Sequence, residues 1–211
     1  MTRNVMTPVP DDPYIYHITH VDNLAGIVSC GGLYSDSERM SRGLVSTNIG
    51  HLHIKQRRLS RRLTTRAGGC LGNYVPFNFC PRSVMLYVVS QGHDDYSGGQ
   101  ENIVHLVSQV SIATNLGRAW AFTDRHAELQ HALHFDDLTS LSEVPWHTMA
   151  RTYWQEVKEE RQAEFLVHGF FPWAAVIEVA VMTDSTRNRA IQALAKSRHQ
   201  PLVRTKRRWY Y

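Results

Sequence analysis

Apolar and polar residues alternate along this chain in short runs, and only a few stretches hold a helical period. Tyr14-Ile15-Tyr16-His17-Ile18-Thr19 alternates β-forming residues and predicts a strand launched from Asp11-Asp12-Pro13. Asp22 is placed to cap a short helix over 23–28, which Gly31-Gly32 stops. Ser35 to Thr47 is polar and reads as a loop. From His51 to Leu63 the pattern turns helical, with Leu52, Leu59 and Leu63 near one face. The same spacing pairs Arg58 with Arg62 and Arg57 with Arg61. Gly68-Gly69-Cys70-Leu71-Gly72 breaks the chain. Strands are predicted over Tyr74–Phe79, Val84–Val89, Ile103–Val107, Ala119–Thr123 and 174–181, with Pro76 favouring an edge or irregular position. Helices are predicted over 127–133 and 187–196, and a helical or looped segment over 136–156 contains Trp146, Tyr153 and Trp154. Short strands with helices at irregular intervals argue for an α+β fold. No repeat or linker divides the 211 residues, so one domain over 1–211 is expected.

Gln162-Ala163-Glu164-Phe165-Leu166-Val167 places a single carboxylate at the start of an apolar strand, after the polar run 156–161. If Phe165 and Val167 are buried, the backbone is held still and Glu164 points from a rigid edge into the neighbouring space. A fixed carboxylate there can steady a developing positive charge. Equally, a lone strand glutamate serves as an edge gatekeeper or a surface ion-pair partner, and the hexapeptide by itself favours that reading.

Composition narrows the class. Hydrophobic residues at 43% and charged residues at 20% fit a folded globular chain. No apolar run nears the roughly 20 residues that span a bilayer, and Met1 to Pro8 lacks the apolar core of a secretory signal. The three cysteines, Cys30, Cys70 and Cys80, form no CxxC pair, so neither disulfides nor a structural zinc site is expected. A cytoplasmic location follows. Net charge is only +4, yet Lys55 to Arg66 carries six cations and no acid, and a second cluster runs from Lys196 to Arg208 before Trp209-Tyr210-Tyr211. Two such clusters suit a polyanionic partner, and aromatics beside arginines suit single strands. Two solvated surfaces would show the same charges.

His17 and Thr19 fall two apart, on one strand face, where they suit a nucleotide or a buried histidine satisfied by a carbonyl. The arginines of 57–62 offer forked donors for phosphate or carboxylate. The glycines form neither GxGxxG nor a P-loop, and no HExxH or GxSxG competes. No metal is expected.

Taken in order, Tyr16-His17-Ile18-Thr19-His20-Val21-Asp22-Asn23-Leu24, Tyr74-Val75-Pro76-Phe77-Asn78-Phe79-Cys80-Pro81-Arg82-Ser83, Phe122-Thr123-Asp124-Arg125-His126 and the Glu164 hexapeptide resemble the DarT toxins. These are the DNA ADP-ribosyltransferases of DarTG toxin–antitoxin systems. The resemblance runs from about residue 14 to Tyr211, and the Tyr74–Ser83 block is its most specific part. It implies a mono-ADP-ribosyltransferase fold, a split mixed β-sheet with flanking helices and a central NAD cleft. The implied activity is sequence-specific transfer of ADP-ribose from NAD to a base in single-stranded DNA, which blocks replication until a macrodomain antitoxin of the DarG type removes it. Thymine is the implied base, because the thymine-modifying members are more similar. By position, His17, Thr19, Asn23 and Gly26 fall where the family binds NAD, and Tyr74 near the nicotinamide end. Glu164 aligns with the catalytic glutamate and Arg58 with the catalytic arginine, Arg57 being its alternative. The loop 144–161 corresponds to the substrate-recognising loop.

On this reading Glu164 stabilises positive charge on the ribose and serves as general base toward the thymine N–H, within about 3 Å. Arg58 holds the pyrophosphate or polarises the base. Lys55, Arg57, Arg61 and Arg62 track phosphates, and Trp146, Tyr153 or Trp154 stack on bases, unless those aromatics are core. Glu164→Ala is expected to abolish transfer and leave the fold intact. A monomer is expected. The rival readings are a transferase of RNA or protein, and a single-strand-binding module without catalysis.

Overall fold

A computed structural model describes residues 8–211. The segment read above as lacking a signal lies outside the described residues, apart from Pro8. The chain runs β1 (Tyr14–His20), α1 (Leu24–Ser29), β2 (Gly32–Tyr34), α2 (Asp36–Ser41), α3 (Leu52–Ser60), β3 (Tyr74–Asn78), α4 (Val84–Gln91) and β4 (Ile103–Gln109). It continues with α5 (Val110–Thr114), β5 (Trp120–His126), β6 (His134–Phe135), α6 (Trp146–Met149) and β7 (Ala163–His168). β8 (Phe170–Pro172), β9 (Glu178–Val181), α7 (Asp184–Leu194) and β10 (Leu202–Thr205) complete it.

Among the described residues eight strands form one mixed sheet in the order β10-β9-β4-β1-β3-β7-β5-β6, with only β10 and β9 parallel. β2 and β8 make a separate small pair. The sheet is split at its middle. β1 pairs with β4 over seven registered positions, yet it meets β3 at one, Tyr16 opposite Asn78. The seam is held by His17, whose Nδ1–H donates to the Pro76 carbonyl at 2.8 Å. This is the α+β split sheet that the resemblance implied.

Alternation along β7 sets the two faces. Ala163, Phe165 and Val167 enter the main core with Ile15, Val75, Phe77 and Phe122, while Leu166 packs on the opposite face with Tyr74 and Ala121. Each fully buried large apolar side chain contributes roughly 1.5–3 kcal/mol, enough to fix the strand and with it the direction of Glu164.

Several expected elements differ. Val84–Val89 forms a helix, not a strand. Ser83 caps it by accepting the Leu86 N–H at 3.2 Å, and a continuous apolar run does not by itself distinguish a buried strand from a buried helix. The polar stretch after Ser35 contains α2, capped by Ser35 through the Glu38 N–H; Ser35-Asp36-Ser37-Glu38 carries the Ser-x-x-Glu signal of a helix start. Asp22 caps nothing in α1; it lies in a single 3-10 turn and pairs with Arg189. α3 stops at Ser60, so Arg62 and Leu63 lie beyond it and Arg62 bridges Cys70 in β fashion. Residues 127–133 make turns rather than a helix, and the Ala127 N–H points to Glu164. Only Glu178–Val181 of the predicted 174–181 strand is extended; Trp173–Ala175 is a 3-10 turn.

The terminal aromatics also turn inward. Tyr210 is buried with its hydroxyl donating to the Ile103 carbonyl at 2.9 Å, and the Tyr211 hydroxyl donates to the Arg82 carbonyl at 2.9 Å. They close the core instead of offering faces to bases.

Candidate active site

At the seam of the sheet lies a cleft of about 690 Å³, within the roughly 300–1,000 Å³ usual for small-molecule and cofactor sites. β1 contributes His17 and Thr19, α1 contributes Gly26, and Asn23 precedes it. β3 contributes Pro76 and Asn78, α3 contributes Lys55 and Arg58, and β7 contributes Glu164. Four distant stretches of sequence thus meet at one point.

Glu164 sits on the face of β7 opposite Phe165 and is 6% exposed. Arg58 donates to both of its oxygens, Nη1 to Oε1 at 3.0 Å and Nη2 to Oε2 at 2.9 Å. The Ala127 N–H approaches Oε1 at 3.3 Å, and the Glu164 N–H donates to Thr123 Oγ1 at 3.0 Å. Burial pushes the Glu164 carboxyl up, but the Arg58 charge and its two hydrogen bonds more than reverse this and hold it below the ordinary carboxylate range. Removing one partner of such a buried pair leaves the other charge uncompensated. Glu164→Ala is therefore expected to disturb the fold as well as the chemistry, where the sequence alone suggested an intact fold.

Arg58, and not Arg57, faces Glu164. Arg57 is exposed and pairs with Glu128 across the α3–β5 side of the cleft. His126, at the end of β5, also lines the cleft. Burial lowers its pKa against the opposing pull of Glu164. His17 is held down to about 4 by burial, with the Pro76 carbonyl pulling the other way. It is a neutral imidazole whose Nδ1 proton is committed to the seam.

Asn23 spans two parts of the cleft wall. Its amide nitrogen donates to Thr19 Oγ1 at 3.0 Å and to the Thr47 carbonyl at 2.9 Å, and its oxygen accepts the Thr47 N–H at 2.8 Å. It anchors the 42–49 segment to β1. Lys55 was read as a phosphate-tracking surface cation; it is half-buried inside the cleft, 3.7 Å from Asp36, and burial lowers its pKa.

Three further assignments are corrected. Tyr74 lies at the far end of β3 from Asn78, buried among Leu71, Ala121 and Leu166, with its hydroxyl donating to the Gly68 carbonyl at 2.8 Å; it does not line the cleft. Trp146 is 7% exposed, and its Nε1–H donates to the Leu141 carbonyl at 2.7 Å. Trp154 is 4% exposed and packs edge-on against Tyr87. Neither presents a face to a base. Tyr153, 84% exposed, is the one of the three aromatics free to stack. Arg61 donates to the Leu129 carbonyl at 2.8 Å, and Arg62 is exposed.

The structure adds residues that sequence reasoning passed over. Asn78 and Arg39 both line the cleft. Arg161 is 3% exposed and donates to the Arg82 and Thr148 carbonyls, which pins the segment before Glu164 to the strand-to-helix turn after β3. Alternation would have placed Asn78 on the Pro76 face; nothing in the sequence marks Arg161 as a buried pin.

The chain matches, over residues 16–211, the family described as ssDNA thymidine ADP-ribosyltransferase, DarT. The chain belongs to the DarT family. A DNA ADP-ribosyl transferase of Thermus sp. (strain 2.9) is 39% identical over 216 positions, covering all of both chains. One from Thermus aquaticus is 40% identical over 206 positions, covering 97% of this chain and 90% of its own. Thermus sp. 2.9 DarT in complex with ADP-ribosylated ssDNA superposes with a TM-score of 0.92 at 38% identity, covering 98% of this chain and 100% of that one. Its complex with NAD+ superposes at 0.88 with 37% identity, covering 97% and 100%. The chain is an NAD-dependent DNA ADP-ribosyltransferase of this DarT kind, with NAD as the donor that is consumed.

Proposed function

We propose that Glu164 and Arg58 form the reaction centre at which ADP-ribose passes from NAD to a thymine of single-stranded DNA. The observation that carries the assignment is their two-bonded buried pair inside the cleft. The cleft suits NAD on its own terms: it brings cations, imidazoles and a fixed carboxylate to one cavity. Lys55 and Arg39, bracketing Asp36, are the groups for the diphosphate. His17, Thr19, Asn23 and Gly26 line the nucleotide-binding wall.

When nicotinamide leaves NAD, positive charge develops on the ribose. Glu164, mounted on a rigid strand, stabilises that charge. In the resting pair Glu164 is a weak base, because Arg58 depresses its pKa. Turning Arg58 toward the thymine carbonyl would withdraw that stabilisation, and burial would then raise the Glu164 pKa toward the range of a general base. The same movement of Arg58 polarises the base and eases loss of its ring proton. One side chain thereby controls the other.

Arg57, Arg61 and Arg62 serve the phosphates and Tyr153 the bases, with Arg161 holding the substrate loop in place. An unpaired base avoids an unstacking cost of a few kcal/mol. As a DarT enzyme the chain acts as the toxin of a toxin–antitoxin pair. We place it in the cytoplasm as a single-domain monomer, opposed by a macrodomain antitoxin. Among the described residues no helix is long and apolar enough to cross a membrane. The test is single-turnover transfer to an oligonucleotide as a function of pH. Arg58→Lys should shift the rising limb that reports the Glu164 base, and an unmoved limb would separate the two residues.

A further inference from the structure

We propose that His51, His93 and Asp95 form a binding site for one divalent transition-metal ion, zinc by its ligand chemistry, at the rim of the cleft. Their candidate ligand atoms all lie within 4.8 Å of one another. His51 Nδ1 and Asp95 Oδ2 are 3.6 Å apart, close to the about 3.3 Å edge of a tetrahedron with Zn–N near 2.0–2.1 Å. The two imidazole centroids are 4.0 Å apart.

The outer partners of two of the three ligands are in place. The His93 Nε2–H donates to the Ile49 carbonyl at 3.2 Å, which leaves Nδ1 unprotonated and its lone pair available. That lone pair now accepts the Asp95 N–H at a long 3.3 Å, a bond that the ion would displace. Asp95 Oδ2 in turn accepts the Leu52 N–H at 3.0 Å, so the carboxylate is oriented from behind. A ligating histidine normally has its second nitrogen bonded to a carbonyl or carboxylate, and a ligating carboxylate is itself hydrogen-bonded. Two imidazoles and one carboxylate select zinc-like ions over the oxygen-seeking magnesium and calcium, and three protein ligands leave a fourth position open.

The position gives the ion a consequence. His51 precedes the first residue of α3, the helix that carries Lys55 and Arg58, and Asp95 lies in the turn after α4. A bound ion ties that turn to the helix bearing the arginine. The ion stands outside the transfer chemistry and stiffens one wall of the cleft.

The experiment is zinc titration of the untagged chain against a chromophoric chelator, with thermal unfolding in parallel. One equivalent should bind at micromolar zinc or tighter and raise the melting temperature. Asp95→Ala and His93→Ala should each weaken that equivalent at least tenfold and abolish the thermal shift. Asp95→Asn, which retains an oxygen to accept from Leu52, checks that loss reflects the ligand rather than the fold. Transfer by wild type in excess EDTA should continue, since the ion supplies none of the chemistry. Absence of zinc binding at tens of micromolar would overturn the proposal. So would a stoichiometry and affinity unchanged by Asp95→Ala, which would assign the ion elsewhere, Cys30 in the cleft being the obvious alternative.

Discussion

Gly26 has no reason within the fold to be glycine. It lies inside α1, its backbone is ordinary, and an added Cβ would meet nothing within 4 Å. A helical glycine costs about 1 kcal/mol relative to alanine, and on the proposed assignment its use is to let a ligand approach the backbone in the cleft. Gly26→Ala should therefore raise stability by about 0.4–1 kcal/mol and weaken NAD binding. Denaturation and calorimetric titration read the two effects separately, and an alanine that left NAD affinity intact would remove Gly26 from the site. Glu164 needs the opposite care. Its loss to alanine strands Arg58 in a buried site at about 3–5 kcal/mol, while Glu164→Gln retains an acceptor for the guanidinium. Glu164→Gln should keep a melting curve near that of the parent and still lose transfer by about 10²- to 10³-fold or more. The position of Glu164 was legible because strand alternation around Phe165 and Val167 is a local signal. Its pairing with Arg58, 106 residues away, was not. Composition and spacing left Arg57 and Arg58 equal, the resemblance favoured Arg58, and the rotation of α3 places Arg58 against Glu164.

At the level of elements, runs of β-forming residues were readable, but a continuous apolar run did not by itself tell strand from helix: β4, buried along nearly all its length, is a strand, and the equally apolar α4 is a helix. β1, β4, β5 and β7 lie where the pattern put them, whereas α4 is as apolar as a strand and owes its form to Ser83. The short edge pieces β6, β8 and β10 have two to four residues each, too few to show a period. The segment from α6 to β7 shows how aromatic residues deceive when exposure is unknown. Trp146 and Trp154 anchor it from within, and Tyr153 between them faces out. Truncating either tryptophan to alanine should cost about 3–5 kcal/mol of stability. Tyr153→Ala should change stability by no more than about 0.5 kcal/mol while weakening oligonucleotide binding by about 1–3 kcal/mol. Equal stability losses at all three positions would contradict this division.

Across the whole molecule, two buried neutral histidines make stability depend on pH. His17 at the seam and His105, held between Tyr210 and the Pro81 carbonyl, are both lowered from 6.5 to about 4, by burial first. Between those values the unfolded chain binds protons that the folded chain refuses, so stability is fully present above 6.5 and falls as pH drops toward 4. Each histidine contributes a slope of up to about 1.4 kcal/mol per pH unit. Glu164, also depressed, adds a further loss at lower pH, as its folded value is crossed. Urea unfolding at pH 7.5 and 5 should show the decline, and a flat profile would mean these imidazoles are already charged in the fold. The split sheet itself explains why the site assembles only in three dimensions: one registered pair joins its halves, and the cleft opens where pairing stops. The most direct measurement is intact mass of a thymine-containing single-stranded oligonucleotide after incubation with NAD and either wild type or Glu164→Gln, both verified as folded. Wild type should add one ADP-ribose on a thymine, and Glu164→Gln none in the same time. Modification by folded Glu164→Gln at the parent rate would contradict the placement of the reaction at the Arg58–Glu164 pair.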